Sequence, residues 1–182
     1  SGNALRVVSA DGKIKTVVGT GKRGTAIGKG LETELGSPKH LAIDASNHVI
    51  IADESNRRIL KYEPGKEEVQ ILLGKGANKP VRAMAIQMDG SLLLAGEFTE
   101  YDNQSRIHLA RVSGTGALDV AFDFEEDGPE HGPNAPVYAV AIQSSWFDPE
   151  NEKILIGGDF TKVGRYRRGR LARLNSDGSL DT

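Results

Sequence analysis

The densest charge in the chain is the run Arg165-Tyr166-Arg167-Arg168-Gly169-Arg170, with Lys162 and Arg173 close by. Guanidinium groups give planar, paired hydrogen bonds to phosphate, sulfate or carboxylate, and a tyrosine among them offers a ring for stacking. The run suits a polyanion, and it equally fits a solvated loop, because the matching segment 101–106 is nearly neutral. A second polar segment, Asp53-Glu54-Ser55-Asn56-Arg57, closes an apolar stretch. Asp53, Asn56 and Arg57 could face a ligand there, but Asp and Asn in such places also bond neighbouring backbone groups and make turns. Between positions 119 and 130 lie Asp119, Asp123, Glu125, Glu126, Asp127 and Glu130. Their oxygens suit a hard cation, yet the spacing is not that of an EF-hand loop and reads as a connecting segment. His40, His48, His108 and His131 form no i, i+4 pair of the kind that binds zinc on a helix. Gly28 and Gly30 lack the Lys-Ser/Thr that follows a phosphate-cradling loop, and no serine nucleophile elbow is present.

What must position these groups is a chain of 182 residues with 23 Lys plus Arg, 25 Asp plus Glu and a net charge of −2. That balance gives no general attraction to nucleic acid or to a membrane, so any polyanion site has to be local. The absence of cysteine excludes disulfides, thiolate metal sites and sulfur redox chemistry. No apolar run approaches the roughly 20 residues that span a bilayer, and a chain without a membrane span is expected. With 22 glycines and 5% aromatics, tight turns are favoured over a helical bundle.

Internal repetition sets the architecture. Residues 5–21 align without a gap on 60–76, with Leu5, Ile14, Val17 and Val18 matching Leu60, Val69, Leu72 and Leu73. In the other half Ala85-Ile86-Gln87 recurs as Ala141-Ile142-Gln143, 56 residues on. Gly96-Glu97-Phe98-Thr99 recurs as Gly158-Asp159-Phe160-Thr161, and Leu109-Ala110-Arg111 as Leu171-Ala172-Arg173, both 62 residues on. The extra six residues fall around Trp146 to Asn151, a lengthened hairpin. Short apolar segments bounded by Gly, Pro, Asn or Asp read as strands. Strands are predicted at 40–44, 48–52, 58–63 and 68–73, then at 82–87, 91–97, 107–113 and 118–122, with no helix required. Four antiparallel strands every 50 to 60 residues predict an all-β chain of propeller blades, about 3 to 3.5 of them.

From Gly19 to Gly76 the chain resembles the NHL repeat, through Gly19-Thr20-Gly21, Leu35-Gly36-Ser37-Pro38, Leu41-Ala42-Ile43-Asp44 and Ile51-Ala52-Asp53 with Asn56-Arg57-Arg58-Ile59. Residues 81–182 resemble the delta-60 type of bacterial propeller repeat, through the two Ala-Ile-Gln triplets, Gly157-Gly158-Asp159-Phe160-Thr161 and Leu171-Ala172-Arg173-Leu174-Asn175. The expected organisation is an NHL-like part at 1–77 (a partial blade 1–21 and a full blade 22–77) and a delta-60-like part at 78–182 (blades 78–135 and 136–182). Both are expected to share one propeller domain.

These resemblances imply a binding platform of a bacterial surface, secreted or particle-associated protein, outside the cell or on its surface. A protein or glycan partner would be met by the loops 101–106, 144–151 and 162–170. Recurrence of Glu97 as Asp159 points to a scaffold role. NHL-like propellers also include metal-dependent lyases and hydrolases with a cation at the channel. For that alternative His40 and Asp44 are the candidate ligands; otherwise no cofactor is expected. A third reading is a designed or excised fragment. Incomplete blades predict self-association through open faces or edges, and nucleic acid is not the expected partner.

Overall fold

A computed structural model of the chain describes residues 2–74, 76–122, 132–145 and 148–182. The acidic positions 123–130, His131 and Trp146-Phe147 lie outside the described residues. The chain forms two compact units, Ser1–Lys75 and Gly76–Thr182. Among the described residues there is no α-helix, only the 3-10 turns Gly30–Glu32 and Glu54–Asn56, and no helix is long and apolar enough to cross a membrane.

In the first unit β1 (Leu5–Val8) and β2 (Ile14–Val18) form a hairpin. A four-stranded antiparallel meander follows: β3 (Pro38–Ile43), β4 (Val49–Asp53), β5 (Arg58–Glu63) and β6 (Glu68–Leu73). Side chains alternate across a sheet, so residues opposite one another in register share a face. Leu41, Ile51, Leu60 and Ile71 form one such row, and Ile43, Val49, Tyr62 and Val69 the next. The middle of that face is sealed, with Ile51, Leu60, Tyr62 and Val69 packed against Val18 and Leu35.

The second unit holds two three-stranded sheets. The first joins β7 (Val81–Ile86), β8 (Leu92–Gly96) and, beyond a small hairpin of β9 (Glu100–Tyr101) and β10 (Gln104–Ser105), β11 (Leu109–Val112). The second repeats this with β12 (Val137–Ser145), β13 (Asp148–Gly158), the hairpin β14 (Lys162–Val163) and β15 (Tyr166–Arg167), and β16 (Leu171–Asn175). β12 runs along β7 and β8. Between the sheets lie Leu93, Leu109, Ile154, Ile156, Phe160 and Leu174, none more than 1% exposed. A buried side chain of this kind contributes about 1.5–3 kcal/mol.

The fourth strand expected at 118–122 is reduced to a single bridge, Val112 to Leu118. The cause is the residue that follows this bridge. The Asp119 carboxylate accepts from the Ala121 amide at 2.9 Å and is held by Arg111, which turns the chain off the ladder.

One irregularity recurs in all three sheets. The first strand carries a β-bulge at its start, between Pro38 and His40, Val81 and Ala83, and Val137 and Ala139. The extra residue is Lys39, Arg82 or Tyr138 in turn. Beside each bulge the carbonyl just before the strand accepts one amide from the end of the second strand: Ser37 from Glu54 (3.1 Å), Pro80 from Glu97 (3.1 Å), Pro136 from Asp159 (2.9 Å). The approach is so close that a Cβ on Gly96 would stand 2.2 Å from the Pro80 oxygen, and one on Gly158 2.1 Å from that of Pro136. Only glycine fits there.

Candidate functional site

Asp53 ends β4 with no exposed surface, and both carboxylate oxygens are occupied. Oδ1 accepts from the Gly36 amide (2.7 Å) and the Ser37 amide (3.0 Å); Oδ2 accepts from Asn56 Nδ2 (2.7 Å) and Arg58 Nε (2.9 Å). Asn56 Nδ2 also donates to the Gly24 carbonyl at 2.7 Å. Arg58 spends its other nitrogens on the Thr25 and Glu34 carbonyls. Arg57 closes the 3-10 turn in left-handed backbone, φ 50°. Three of the four strand-end residues therefore stitch the 24–37 loop to the sheet. The arginine that does so is Arg58, a neighbour of the one singled out in the sequence.

The structure pairs Asp44 with His48 instead of His40. Asp44 Oδ2 lies 2.8 Å from His48 Nδ1, and Oδ1 accepts the Ser46 and His48 amides at 2.9 Å each. Burial acts to raise the Asp44 carboxyl, but these bonds outweigh it and leave it below the usual carboxylate range. His40 sits four residues back along an extended strand, roughly 13 Å away at strand rise, opposite Ala52. Burial pushes its imidazole down. Among the described residues no three His, Asp or Glu side chains gather as a metal site would need.

In the second unit the loops 97–108 and 159–170 cover the same end of their sheets, the end that carries the bulges. At that end Arg82 holds Glu97 through Nη2 (2.6 Å) and Nε (2.8 Å). One repeat later Arg170 donates to Asp159 at 2.8 Å. Tyr138, which replaces Arg82, hydrogen-bonds Asp159; loss of water, then the Asp159 and Glu97 carboxylates, raise its phenol. Arg82, Glu97, Tyr138, Asp159 and Arg170 thus form a partly exposed polar row. Sequence reasoning singled out Arg170 and, as scaffold, Glu97 and Asp159, but passed over Arg82 and Tyr138. Their places follow from the bulge, which no spacing in the sequence announces.

Next to this row stands the basic loop. Arg165 stacks 5.0 Å over the Tyr166 ring and donates to its hydroxyl at 2.9 Å. Arg167 is exposed, and Arg168, half-buried, donates to the Arg167 carbonyl at 3.0 Å. The matching loop differs in kind: Tyr101, at the place of Val163, is 2% exposed, and Arg106, at the place of Arg168, is 8% exposed and bonds the Ser105 carbonyl. Asn103, Gln104 and Ser105 are exposed like Arg165 and Arg167, so the loops differ chiefly in the charge they display. The geometry offers guanidinium hydrogen-bond donors to an anion.

A family model described as a domain of unknown function with β-propeller structure matches residues 87–122 and 151–182. No curated protein matches the chain. Among solved structures the chain resembles a luciferin-regenerating enzyme with a TM-score of 0.56 at 14% identity, over 93% of this chain and 50% of that one. The chain therefore spans half the length of that relative. With the antiparallel sheets above, the fold is a β-propeller with open sheets, its second unit made of propeller repeats.

Proposed function

We propose that this chain is a non-enzymatic β-propeller binding module of a bacterial surface, secreted or particle-associated protein. It engages a polyanionic partner, a glycan or an acidic protein face, through the end of the second unit that carries Arg165, Tyr166, Arg167, Arg168 and Arg170. The supporting observation is the contrast between matched loops: at equivalent positions one repeat carries the exposed, neutral Asn103, Gln104 and Ser105 while the other presents Arg165, Tyr166 and Arg167, with Arg165 stacked on Tyr166. A rigid sheet holding a variable loop is a common way for a fold to carry recognition. The resemblance of 1–77 to NHL repeats and of 81–182 to delta-60 repeats supports the same reading.

The test is retention on an immobilised sulfated polysaccharide. Salt-dependent retention, lost in Arg165→Ala/Arg167→Ala with an unchanged melting curve, is expected. A wild-type chain that elutes in the void at low salt overturns the reading. A metal-dependent lyase or hydrolase is the alternative, and a stoichiometric, tightly held metal in the purified chain would favour it.

A further inference from the structure

Three segments of the first unit meet around one glycine. Gly30 is buried; its amide donates to the Glu67 carbonyl at 2.8 Å, and its carbonyl accepts from the Gly19 amide at 2.9 Å. A Cβ there would stand 2.2 Å from the Val17 carbonyl oxygen and 3.3 Å from Cε2 of Tyr62. Glycine at this point lets the 3-10 turn Gly30–Glu32 lie against the end of β2 and against Tyr62 of β5. The junction leaves a cavity of about 220 Å³. Val17, Leu31 and Tyr62 form its wall together with the charged residues Lys15, Lys29, Glu32 and Glu67.

Most of the polar chemistry around this cavity is unused. Tyr62 is 5% exposed, yet among the described residues its hydroxyl has no hydrogen-bond partner, which is unusual for a buried polar group. Loss of water, then the Glu67 carboxylate, raise the phenol, so it keeps its proton at neutral pH. Glu32 is committed, accepting from the Lys29 amide at 3.3 Å. Among the described residues Lys15, Lys29 and Glu67 form no ion pair. Two ammonium groups, a carboxylate and a hydroxyl beside an apolar wall complement a molecule that carries both charges and an apolar body. The volume is below the roughly 300–1,000 Å³ of sites for drug-sized ligands, so that molecule is small.

We propose that this cavity binds a free amino acid with an apolar side chain. Lys15 and Lys29 take its carboxylate, Glu67 and the Tyr62 hydroxyl its ammonium, and the side chain lies along Val17 and Leu31. A plain carboxylic acid would leave Glu67 without a counter-charge, and a plain amine would leave the two lysines so. The site lies in the first unit and is independent of the polyanion reading, which uses a loop of the second.

Isothermal titration calorimetry of the full chain with L-leucine tests it, beside 4-methylpentanoate and 3-methylbutylamine, which each lack one of its charges. L-leucine is expected to bind one per chain, and each analogue about tenfold more weakly. Tyr62→Phe removes a hydroxyl that holds nothing in the fold, so its melting curve is expected to stay in place while affinity for L-leucine falls about tenfold. Glu67→Gln, at the exposed rim, is expected to weaken L-leucine and spare 4-methylpentanoate. Neither variant is expected to alter retention on the sulfated polysaccharide, so the two readings fail separately. A chain that gives neither heat nor a higher melting temperature with millimolar L-leucine overturns the proposal. So does 4-methylpentanoate binding as tightly as L-leucine, which would mark a plain anion site, or an affinity indifferent to Tyr62→Phe.

Discussion

His108 and Arg170 stand at the same point of successive repeats, 62 residues apart, and both take left-handed backbone, at φ 64° and 67°. In each case the carbonyl accepts from a glycine (Gly96 or Gly158, 3.0 Å) and the amide donates to a phenylalanine carbonyl (Phe98 at 2.8 Å, Phe160 at 2.9 Å). The conformation is thus imposed by the loop on side chains that do not favour it. The side chains then part company: Arg170 is exposed and bonds Asp159, whereas His108 is 8% exposed and its Nδ1 has no hydrogen-bond partner.

Burial, with Lys79 adding to it against the Gly96 backbone and Glu97, pushes the His108 imidazole down. The unfolded chain therefore takes up this proton first on acidification. Stability from neutral His108 is whole above about pH 6.5 and is lost as pH falls through the depressed folded value. Urea denaturation across that window is expected to show a falling midpoint. Replacing His108 with Asn, which tolerates left-handed backbone, removes part of the slope and leaves a remainder from His40, also depressed by burial. An unchanged slope in His108→Asn contradicts the assignment.

Removing the Asp53 carboxylate strands Arg58, which is 8% exposed, and frees two loop amides. Asp53→Ala is expected to destabilise the first unit by about 3–5 kcal/mol. Hydrogen exchange read separately for residues 2–74 and 76–122 locates the loss: protection should fall first in the former.

At Gly158 a methyl group would meet backbone, which cannot swing aside as a side chain does. Gly158→Ala is expected to cost about 1–3 kcal/mol, as overpacking does, and to weaken the Asp159 amide bond to Pro136. Gly65→Ala, where a Cβ meets nothing within 4 Å, is the control and should leave the melting curve nearly unmoved.

Arg111 and Arg173 carry the same ion pair in successive repeats, but their side chains are 16% and 50% exposed. Arg111 also lies 4.7 Å over the Phe122 ring. Arg111→Ala should cost about 2–3 kcal/mol, against less than about 1 kcal/mol for Arg173→Ala, read from urea denaturation of each variant. Equal losses would show that the second sheet gains nothing from the Ser176 bond.

Strand positions were legible because period-two apolar runs between Gly, Asn and Asp leave one arrangement that buries them. The segments 58–63 and 68–73 form as read from the sequence. The strand expected at 118–122 was misjudged because Leu118 and Val120 look like strand residues, while Asp119 between them bonds the Ala121 amide and ends the ladder. At the site, charge made the 165–170 run visible. Arg82 and Tyr138 were not, since an inserted residue at a bulge alters register without altering composition. His40 and Asp44 looked adjacent in the chain, but an extended strand carries them apart and a tight turn returns His48 to Asp44.

The inserted residue at the head of each first strand belongs to no ladder, and the bond that steadies the bulge runs between two backbone groups. Lys39, Arg82 and Tyr138 can therefore differ while the sheets beneath them keep the same shape. Repeats of this kind have a position that drift can explore at little cost to folding, so copies that began alike can come to present different chemistry from one scaffold.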